Sequence, residues 1–344
     1  MKSLVWEAPR QMALHDQEQP LPGTGEVLIK VAYAGICGSE LSGYLGHNAL
    51  RVPPLVMGHE FSGTIVATDA AATAEHPELT EGQHVTVNPM IYCGNCAHCA
   101  AGRYHLCANR TLIGAARPGA YAEYVSVPAK MVTLVPDDVS LRTASMTEPA
   151  AVAVRMGELA GVSAGEDVLI IGAGPVGLLA LQVLRAQGAG RVFIADLGAE
   201  RLAMAAELGG EPIDPRAQDV VQVVREATGG LGAAVSIDAV GTARTRAQCI
   251  AATRSAGTVM LTGLHEETSE MPVAEIIRRE IVLQGSFCYT PANFTTALEL
   301  LANGALHLDP WIVEAPLGEG GAWFDRLIDA PGDVAKVLLI PALD

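Results

Sequence analysis

The stretch VLIIGAGPVGLLALQVLRAQGAGRVFIAD, which runs from Val168 to Asp196, decides the fold of this chain. Its first four residues are apolar and predict a strand that is buried on both faces. Three glycines follow in the pattern G-x-G-x-x-G, at Gly172, Gly174 and Gly177, and apolar residues then recur at helical spacing. A second apolar run ends in Asp196, so the stretch predicts a strand, a helix and another strand.

A glycine loop between a strand and a helix is typical of sites that bind the pyrophosphate of a dinucleotide. The first glycine permits a tight turn, the second lets phosphates approach the backbone, and the third lets the helix pack on the strand. Pro175 and Val176 stand where the helix should begin, and its free N–H groups attract phosphate. Asp196 can accept both hydroxyls of an adenosine ribose and would repel a 2′-phosphate, which favours NAD over NADP. Arg201 follows closely and can weaken that preference.

Length, charge and composition limit the fold and the partners. The 344 residues predict two domains, and the formal net charge of −16 argues against nucleic acid or an anionic membrane surface as partner. The first ten residues lack the apolar core of a signal peptide, which favours a cytoplasmic location. Residues 1–65 carry short strand-like runs, unlike the later strand–helix alternation, and Thr68–Glu81 looks like a solvated loop. We therefore expect a β-rich domain and an α/β domain with a doubly wound parallel sheet.

Seven cysteines are present, and four of them fall within fifteen residues. These four are Cys93, Cys96, Cys99 and Cys107. Their spacing, C-x₂-C-x₂-C-x₇-C, lets four thiolates converge on one zinc ion in a closed structural site. An odd number of cysteines in a chain without a secretion signal argues against a disulfide framework. The alternatives are a zinc-ribbon module for nucleic acid, which the acidic chain disfavours, and a zinc-storage or sensor protein, which would not need the glycine loop.

A second set of metal-binding side chains lies nearer the start of the chain. Cys37 is followed by Gly-Ser-Glu, and His59 and Glu60 stand together further along. A thiolate, an imidazole and a carboxylate form a mixed set of the kind that an open catalytic zinc site uses. Glu148 interrupts an apolar segment, where a carboxylate is costly unless it meets a cation or a hydrogen-bond donor. On the residues alone, a catalytic metal and ordinary structural roles both remain open.

The order of these motifs resembles the zinc-dependent medium-chain alcohol and polyol dehydrogenases over essentially the whole chain. The matching pieces are Cys37-Gly-Ser, Gly58-His59-Glu60, the four-cysteine segment, Gly119-Ala-Tyr-Ala-Glu123-Tyr124, Glu148-Pro149 and the Gly172 loop. Within the family they are most similar to the branch of sorbitol and galactitol-1-phosphate dehydrogenases, and Arg117-Pro118-Gly119 is also similar to threonine and butanediol dehydrogenases. The resemblance implies a β-rich GroES-like catalytic domain joined to an NAD-binding Rossmann domain.

The resemblance also implies a domain organisation. Residues 1–152 are expected to form the catalytic domain, with a structural zinc lobe at 90–110. Residues 153–292 are expected to bind NAD, and residues 293–344 to return to the catalytic domain. The active site is then expected between the domains, at the carboxyl ends of the parallel strands. Family members form homodimers or homotetramers, for which Ile281–Phe287 is a candidate edge strand.

The resemblance assigns a role to each candidate catalytic residue. Cys37, His59 and Glu60 match zinc ligands, and Glu148 is an alternative ligand or a partner of the zinc-bound water. Zinc is then expected to lower the pKa of a substrate hydroxyl, and hydride to pass from the carbinol carbon of a secondary alcohol to NAD. Ser39 matches the hydroxyl that begins a proton relay. The implied cofactors are two zinc ions and NAD, and the implied partner is a small-molecule alcohol.

Some positions leave the function less defined. Glu40 stands where the family usually has an Asp that orients the ligating histidine, and the extra methylene leaves that geometry open. His47 is a candidate for a later relay member. The substrate stays open between a polyol, a sugar alcohol or its phosphate, a vicinal diol and a hydroxy amino acid. Arg51, Arg110 and Arg117 are candidate contacts for a phosphate group.

Overall fold

The computed structural model describes residues 1–309, 311–332 and 334–341. The chain forms two compact units. The first unit consists of Met1–Glu148, Thr290–Asn303 and Trp311–Asp344, and the second of Pro149–Tyr289 and Gly304–Pro310. The domain divisions expected after residues 152 and 292 stay predictions.

The first unit is rich in β-strands, as the sequence predicts. Its strands are β1 (Lys2–Ala8), β2 (Gln11–Asp16), β3 (Glu26–Gly35), β4 (Leu55–Val56), β5 (Glu60–Thr68), β6 (His84–Val87), β7 (Met90–Ile91), β8 (Thr111–Leu112), β9 (Tyr124–Pro128), β10 (Val132–Leu134), β17 (Ile312–Pro316) and β18 (Lys336–Ile340). A seven-stranded sheet has the order β10-β6-β5-β3-β18-β17 with β9 also on β3, beside a sheet β2-β1-β4 and a pair β7-β8. Because β18 pairs with β3, a late segment of the chain completes a sheet that early residues begin.

Short helices connect these strands. They are α1 (Gly38–Tyr44), α2 (Ala70–Glu75), α3 (Ala97–Ala100), α4 (Leu141–Ala144), α11 (Pro291–Ala302), α12 (Gly320–Asp329) and the 3₁₀ turns Tyr104–Leu106, Ala129–Met131 and Leu317–Glu319. The segment Thr68–Glu81, expected to be a solvated loop, is mostly exposed but is not only a loop, because it contains α2. The Asp69 carboxylate caps α2 by accepting from the Ala71 N–H at 2.9 Å, and Ala72 and Leu79 are buried in the core.

The second unit is a doubly wound parallel sheet. Its strands are β11 (Val168–Ile171), β12 (Val192–Ala195), β13 (Glu211–Ile213), β14 (Ala233–Asp238), β15 (Thr253–Leu261) and β16 (Val282–Gly285), and its helices are α6 (Pro175–Ala186), α7 (Ala199–Glu207), α8 (Val220–Ala227), α9 (Ala243–Ala252) and α10 (Val273–Arg278). Helix α5 (Thr147–Ala160) contains the point where the chain leaves the first unit. The sheet order β13-β12-β11-β14-β15-β16 is the 3-2-1-4-5-6 order of Rossmann folds, which confirms the predicted fold class.

The packing of the second unit follows from its apolar strands. All residues of β11 and of β12 are buried. Burying each large aliphatic side chain contributes about 1.5–3 kcal/mol, so these two strands belong at the centre of the sheet.

A buried polar side chain fastens the segment Gly304–Pro310 to the second unit. Gln182 lies on α6, and its Nε2 donates to the His307 carbonyl at 3.1 Å while its Oε1 accepts from the His307 N–H at 2.5 Å. The Gln182 amide therefore hydrogen-bonds to both main-chain groups of His307, as a residue on a neighbouring strand would.

Candidate functional site

The glycine loop joins β11 to α6. Gly172 has φ of +108°, a backbone conformation that favours glycine. A Cβ at Gly177 would stand 1.9 Å from the Gly172 carbonyl oxygen, so only glycine lets α6 close on the loop. A Cβ at Gly174 would meet no atom within 4 Å, and Pro175 begins the helix directly behind it. The loop therefore presents an open face beside a helix N-terminus, which fits a pyrophosphate.

Asp196 follows β12 and is tied to the glycine loop. Its Oδ2 accepts from the Ala173 N–H at 2.7 Å, and its Oδ1 accepts from the Gly198 N–H at 2.8 Å. A carboxylate has about four lone-pair sites, so each oxygen keeps one site for a ribose hydroxyl. The Arg201 Nη1 lies 4.0 Å from Oδ2. The structure thus fits NAD at this position and places a cation beside the acid.

The four clustered cysteines converge, because their sulfur atoms lie within 4.8 Å of one another. The separations are 3.4 Å for Cys107–Cys93, 3.6 Å for Cys96–Cys99, and 3.9 Å for Cys93–Cys99 and Cys96–Cys107. Tetrahedral Zn–S bonds of about 2.3 Å require sulfur separations of about 3.8 Å. The backbone N–H groups of Cys99 and Ala108 lower the pKa of Cys96 to about 6, which favours the thiolate that zinc needs. The segment therefore fits a closed zinc site.

A second group of donors consists of Cys37, His59 and Glu60, whose ligand atoms also lie within 4.8 Å of one another. Cys37 is the N-cap of α1, and the other two lie just before and at the start of β5. Both of those side chains are buried. Ser39, an exposed residue in the first turn of α1, donates its hydroxyl proton to the Cys37 Sγ at 3.4 Å. Sulfur, imidazole and carboxylate donors in one group fit a zinc ion that keeps a position open for substrate.

Glu40 is fully buried and organises this group. Its carboxylate accepts from His59 Nδ1 at 2.7 Å, from Gly58 N at 2.8 Å, from Cys37 N at 3.1 Å and from the Tyr121 hydroxyl. Because an ionised carboxylate only accepts, His59 carries its proton on Nδ1 and keeps Nε2 for a metal. Burial alone would raise the pKa of Glu40, but His59 and then Arg51 and Tyr121 lower it to about 2. The extra methylene therefore does not prevent Glu40 from orienting the histidine.

The same contact changes the acid–base properties of His59. Burial alone would lower the pKa of the imidazole, but the Glu40 carboxylate raises it well above its usual value. Glu40 therefore stabilises positive charge at the ring, whether a proton or a metal ion at Nε2 brings that charge.

Lys336 is a residue of this site that the sequence reasoning missed. It begins β18 with only 2 % of its surface exposed, and its Nζ donates to the Glu60 carboxylate and, at 2.9 Å, to the Ile36 carbonyl. Burial alone would lower the pKa of Lys336, but Glu60, Cys37 and Glu148 together raise it above its usual value. A sequence signal was available, because Lys336 is the single charge in the apolar run Val334–Ile340.

Three other candidate residues from the sequence lie outside this ligand group as the structure describes it. Within the described parts of the chain, Glu148 is not in the three-residue group, although it is largely buried and its charge helps to raise the pKa of Lys336. The exposed ring of His47 makes no hydrogen bond to any described residue. Arg117 is held by Glu26 through two contacts of 2.6 and 3.1 Å, so it is committed to an ion pair.

Known proteins are similar to this chain along its length. Residues 23–137 match the alcohol dehydrogenase GroES-like domain, and residues 175–303 match the zinc-binding dehydrogenase family. D-arabitol-phosphate dehydrogenase from Enterococcus avium is 35% identical over 350 residues, covering 98% of this chain and 97% of that protein. L-threonine 3-dehydrogenase from Symbiobacterium thermophilum is 37% identical over 276 residues, covering 78% and 77%. A chain from Sinorhizobium meliloti 1021 solved with bound NADP has a TM-score of 0.92 and 32% identity, covering 99% of each chain.

A dinucleotide loop and a mixed ligand group in one chain are what an enzyme needs to couple a Lewis-acid metal to hydride transfer. The similarity over nearly the full length shows that the chain belongs to the zinc-dependent medium-chain alcohol and polyol dehydrogenases. It is a zinc-dependent oxidoreductase of the alcohol dehydrogenase family, which confirms the class predicted from the sequence. Among the described helices, none has the length and apolar character needed to cross a membrane.

Proposed function

We propose that this enzyme oxidises a secondary hydroxyl of a polyol, a sugar alcohol or a sugar-alcohol phosphate to a ketone, with NAD as acceptor. The observation that carries the proposal is the position of the Ser39 hydroxyl, 3.4 Å from the sulfur of Cys37 in the three-residue ligand group. The Enterococcus avium relative, named for a polyol phosphate and similar over almost the whole chain, supports this substrate class.

The metal-holding roles follow from the donor sets. Cys37, His59 and Glu60 would hold the catalytic zinc, with Glu148 as an alternative ligand, and the four-cysteine segment would hold a structural zinc. Zinc, when bound, supplies a Lewis acid that lowers the pKa of the substrate hydroxyl. The ammonium of Lys336 offsets the charge of Glu60, so the site more readily accepts the negative charge that develops on the substrate oxygen.

Other side chains of the enzyme move the proton and orient the cofactor. Ser39 would accept the substrate proton while its own proton passes to solvent, since the exposed ring of His47 makes no hydrogen bond to a described residue that would continue a relay. Bound NAD would supply the acceptor for the hydride of the carbinol carbon. The open face at Gly174 would receive its pyrophosphate, and Asp196 would bind its adenosine ribose and favour NAD over NADP.

The substrate class can be tested by an alcohol panel. NAD reduction would be followed by absorbance with sorbitol, arabitol, their phosphates, 2,3-butanediol and L-threonine, and a Cys37→Ala variant would measure the background. We expect kcat/KM for a polyol or polyol phosphate to exceed that for threonine at least about tenfold, or about 1.4 kcal/mol of transition-state binding. Turnover of threonine without turnover of any polyol would instead support the second candidate function, which the Symbiobacterium thermophilum relative favours.

We further propose that the enzyme is a cytoplasmic homodimer or homotetramer that associates through the sheet edge at β16. Val282 on this last strand of the parallel sheet is 52% exposed, and Ile277 on the preceding helix α10 is 69% exposed. An apolar edge strand favours pairing with another chain. Light scattering should show that Val282→Lys lowers the molecular mass of the assembly. A monomeric parent would contradict the proposal.

A further inference from the structure

Arg51 is a buried arginine, 4% exposed, whose side chain contacts Ser39. Its Nη1 donates to the Ser39 carbonyl and its Nη2 donates to the Ser39 hydroxyl oxygen, each at 3.3 Å. In the part of the chain that the structure describes, no carboxylate lies within 4.0 Å of this guanidinium, and its Nε has no hydrogen-bond partner. A buried arginine is usually paired with an acid. Here both side-chain hydrogen bonds of Arg51 that the structure describes go to Ser39.

The helix that carries Ser39 makes room for this side chain. A Cβ at Gly43 on α1 would stand 2.7 Å from the Cδ of Arg51, closer than side-chain atoms normally approach. Glycine in a helix interior costs roughly 1 kcal/mol relative to alanine. The space that Gly43 leaves is the space that the stem of Arg51 fills, so the position of the guanidinium is set by the fold.

We propose that Arg51 is a positioning residue that fixes the direction of the Ser39 hydroxyl. A guanidinium has five donors and no acceptor, so the Ser39 oxygen must accept from Arg51 with one of its two lone pairs. Its single proton and its other lone pair are then directed to the exposed side, where the hydroxyl donates to the Cys37 sulfur.

This arrangement determines the route of the proton in the proposed reaction. When the Ser39 oxygen accepts the substrate proton through its free lone pair, its own proton must leave, and it cannot pass to a donor-only guanidinium. The proton therefore leaves on the exposed side, and the hydroxyl carries one proton before and after the step. The Arg51 charge stabilises the partial negative charge on the oxygen during the exchange. The inference rests on the proposed role of Ser39 in alcohol oxidation.

A double-mutant cycle separates this role from a structural one, since the Arg51 charge also lowers the pKa of Glu40. Arg51→Met should lower kcat about tenfold or more, because it removes one charge-assisted hydrogen bond to the Ser39 oxygen. The KM for NAD should stay unchanged. Arg51→Lys, which keeps a donor, should restore part of the rate. In a Ser39→Ala background, Arg51→Met should change kcat less than about twofold, because the group it acts through is gone. Equal effects of Arg51→Met in both backgrounds would overturn the inference.

The matched control is Arg10→Met. Arg10 is an exposed arginine of the same unit that pairs with Asp325 and Asp329. Its loss should leave kcat unchanged. A fall in kcat as large as that of Arg51→Met would mean that any lost arginine lowers the rate, and would overturn the inference.

The contact between Arg51 and Ser39 can also be measured without an activity assay, by NMR of the zinc-loaded enzyme with nitrogen-15-labelled arginine. The guanidinium signals of Arg51 are assigned by their absence in Arg51→Lys. Ser39→Ala should shift them, and Ser42→Ala, on the same helix, should not. Gly43→Ala, which displaces Arg51 but keeps its charge, should shift the same signals and lower kcat, and it serves if Arg51→Met does not fold. Arg51 signals that do not respond to Ser39→Ala would overturn the inference. If the parent oxidised no alcohol, the proposed function would fail, while this spectrum would still decide the contact.

Discussion

Replacing Lys336 by methionine should show how much the stability of the first unit depends on a buried ion pair. Lys336 and Glu60 each have only 2% of their side-chain surface exposed, so water cannot take the place of the ammonium. Methionine keeps much of the apolar stem, so the main loss is the charge. While no metal ion is bound at Glu60, removing its partner from this buried ion pair costs about 3–5 kcal/mol, because the remaining charge is uncompensated. For a domain of about 150–250 residues, this corresponds to a fall of about 6–20 °C in Tm.

Calorimetry at pH 7 would test this value on protein whose measured zinc content is one ion per chain, so that the four-cysteine segment is loaded and the Cys37 group is not. The matched control is Lys30→Met, an exposed position on β3, which should change stability by less than about 0.5 kcal/mol. The double variant Lys336→Met/Glu60→Gln should recover much of the loss, because it removes the orphaned charge. If the double variant is no more stable than Lys336→Met alone, the loss comes from packing and the reasoning is refuted.

The pH dependence of this effect has a definite sign. Burial alone would lower the pKa of Lys336, but Glu60, Cys37 and Glu148 together raise it on balance. A raised lysine pKa contributes stability that is fully present at neutral pH and is lost as the pH rises through the raised value. The difference in Tm between the parent and Lys336→Met should therefore narrow only at strongly alkaline pH.

The zinc lobe, the cofactor loop and an ion pair of the first unit each allow a further test. Cys96→Ser should lose one zinc ion by elemental analysis and lower Tm while NADH binding by fluorescence persists; unchanged stability would contradict a structural site. Asp196→Ser should raise NADP efficiency relative to NAD at least about tenfold, since the Arg201 Nη1 lies 4.0 Å from the lost carboxylate. A parent that uses both cofactors equally would count against that assignment. Burial alone would raise the pKa of Glu26, but Arg117 lowers it on balance, so Glu26→Gln should be less stable than the parent at pH 7. That advantage of the parent is lost as the pH falls through the lowered pKa, and acid titrations of the two proteins should converge.

Features whose parts are close in the sequence could be predicted from it. The glycine loop and its acid lie on consecutive elements, and the four cysteines lie in one segment. In both cases the spacing in the sequence is enough to predict that the side chains converge, because a short connecting segment limits the distance between them. The parallel sheet also followed from the alternation of apolar strands with helices.

Features that depend on distant segments could not be derived in this way. Lys336 meets Glu60 across 276 residues, and only the pairing of β18 with β3 brings them together. The reach of Glu40 to His59 depends on how the backbone at Gly58 turns, which a spacing pattern does not specify. The three candidate arginines looked alike in sequence, yet Arg51 alone donates to the Ser39 hydroxyl.

The pairing of β18 with β3 has a consequence for biosynthesis. At about 5–20 residues per second, a ribosome needs about 14–55 s to travel the 276 residues from Glu60 to Lys336. During that time most of the second unit emerges, while the sheet of the first unit waits for β17 and β18. Although β5 and β9 already pair with nascent β3, its Ala34–Gly35 end then lacks its β18 partner, and Glu60 lacks the ammonium of Lys336. The unit that is translated first is therefore the one that must finish folding last.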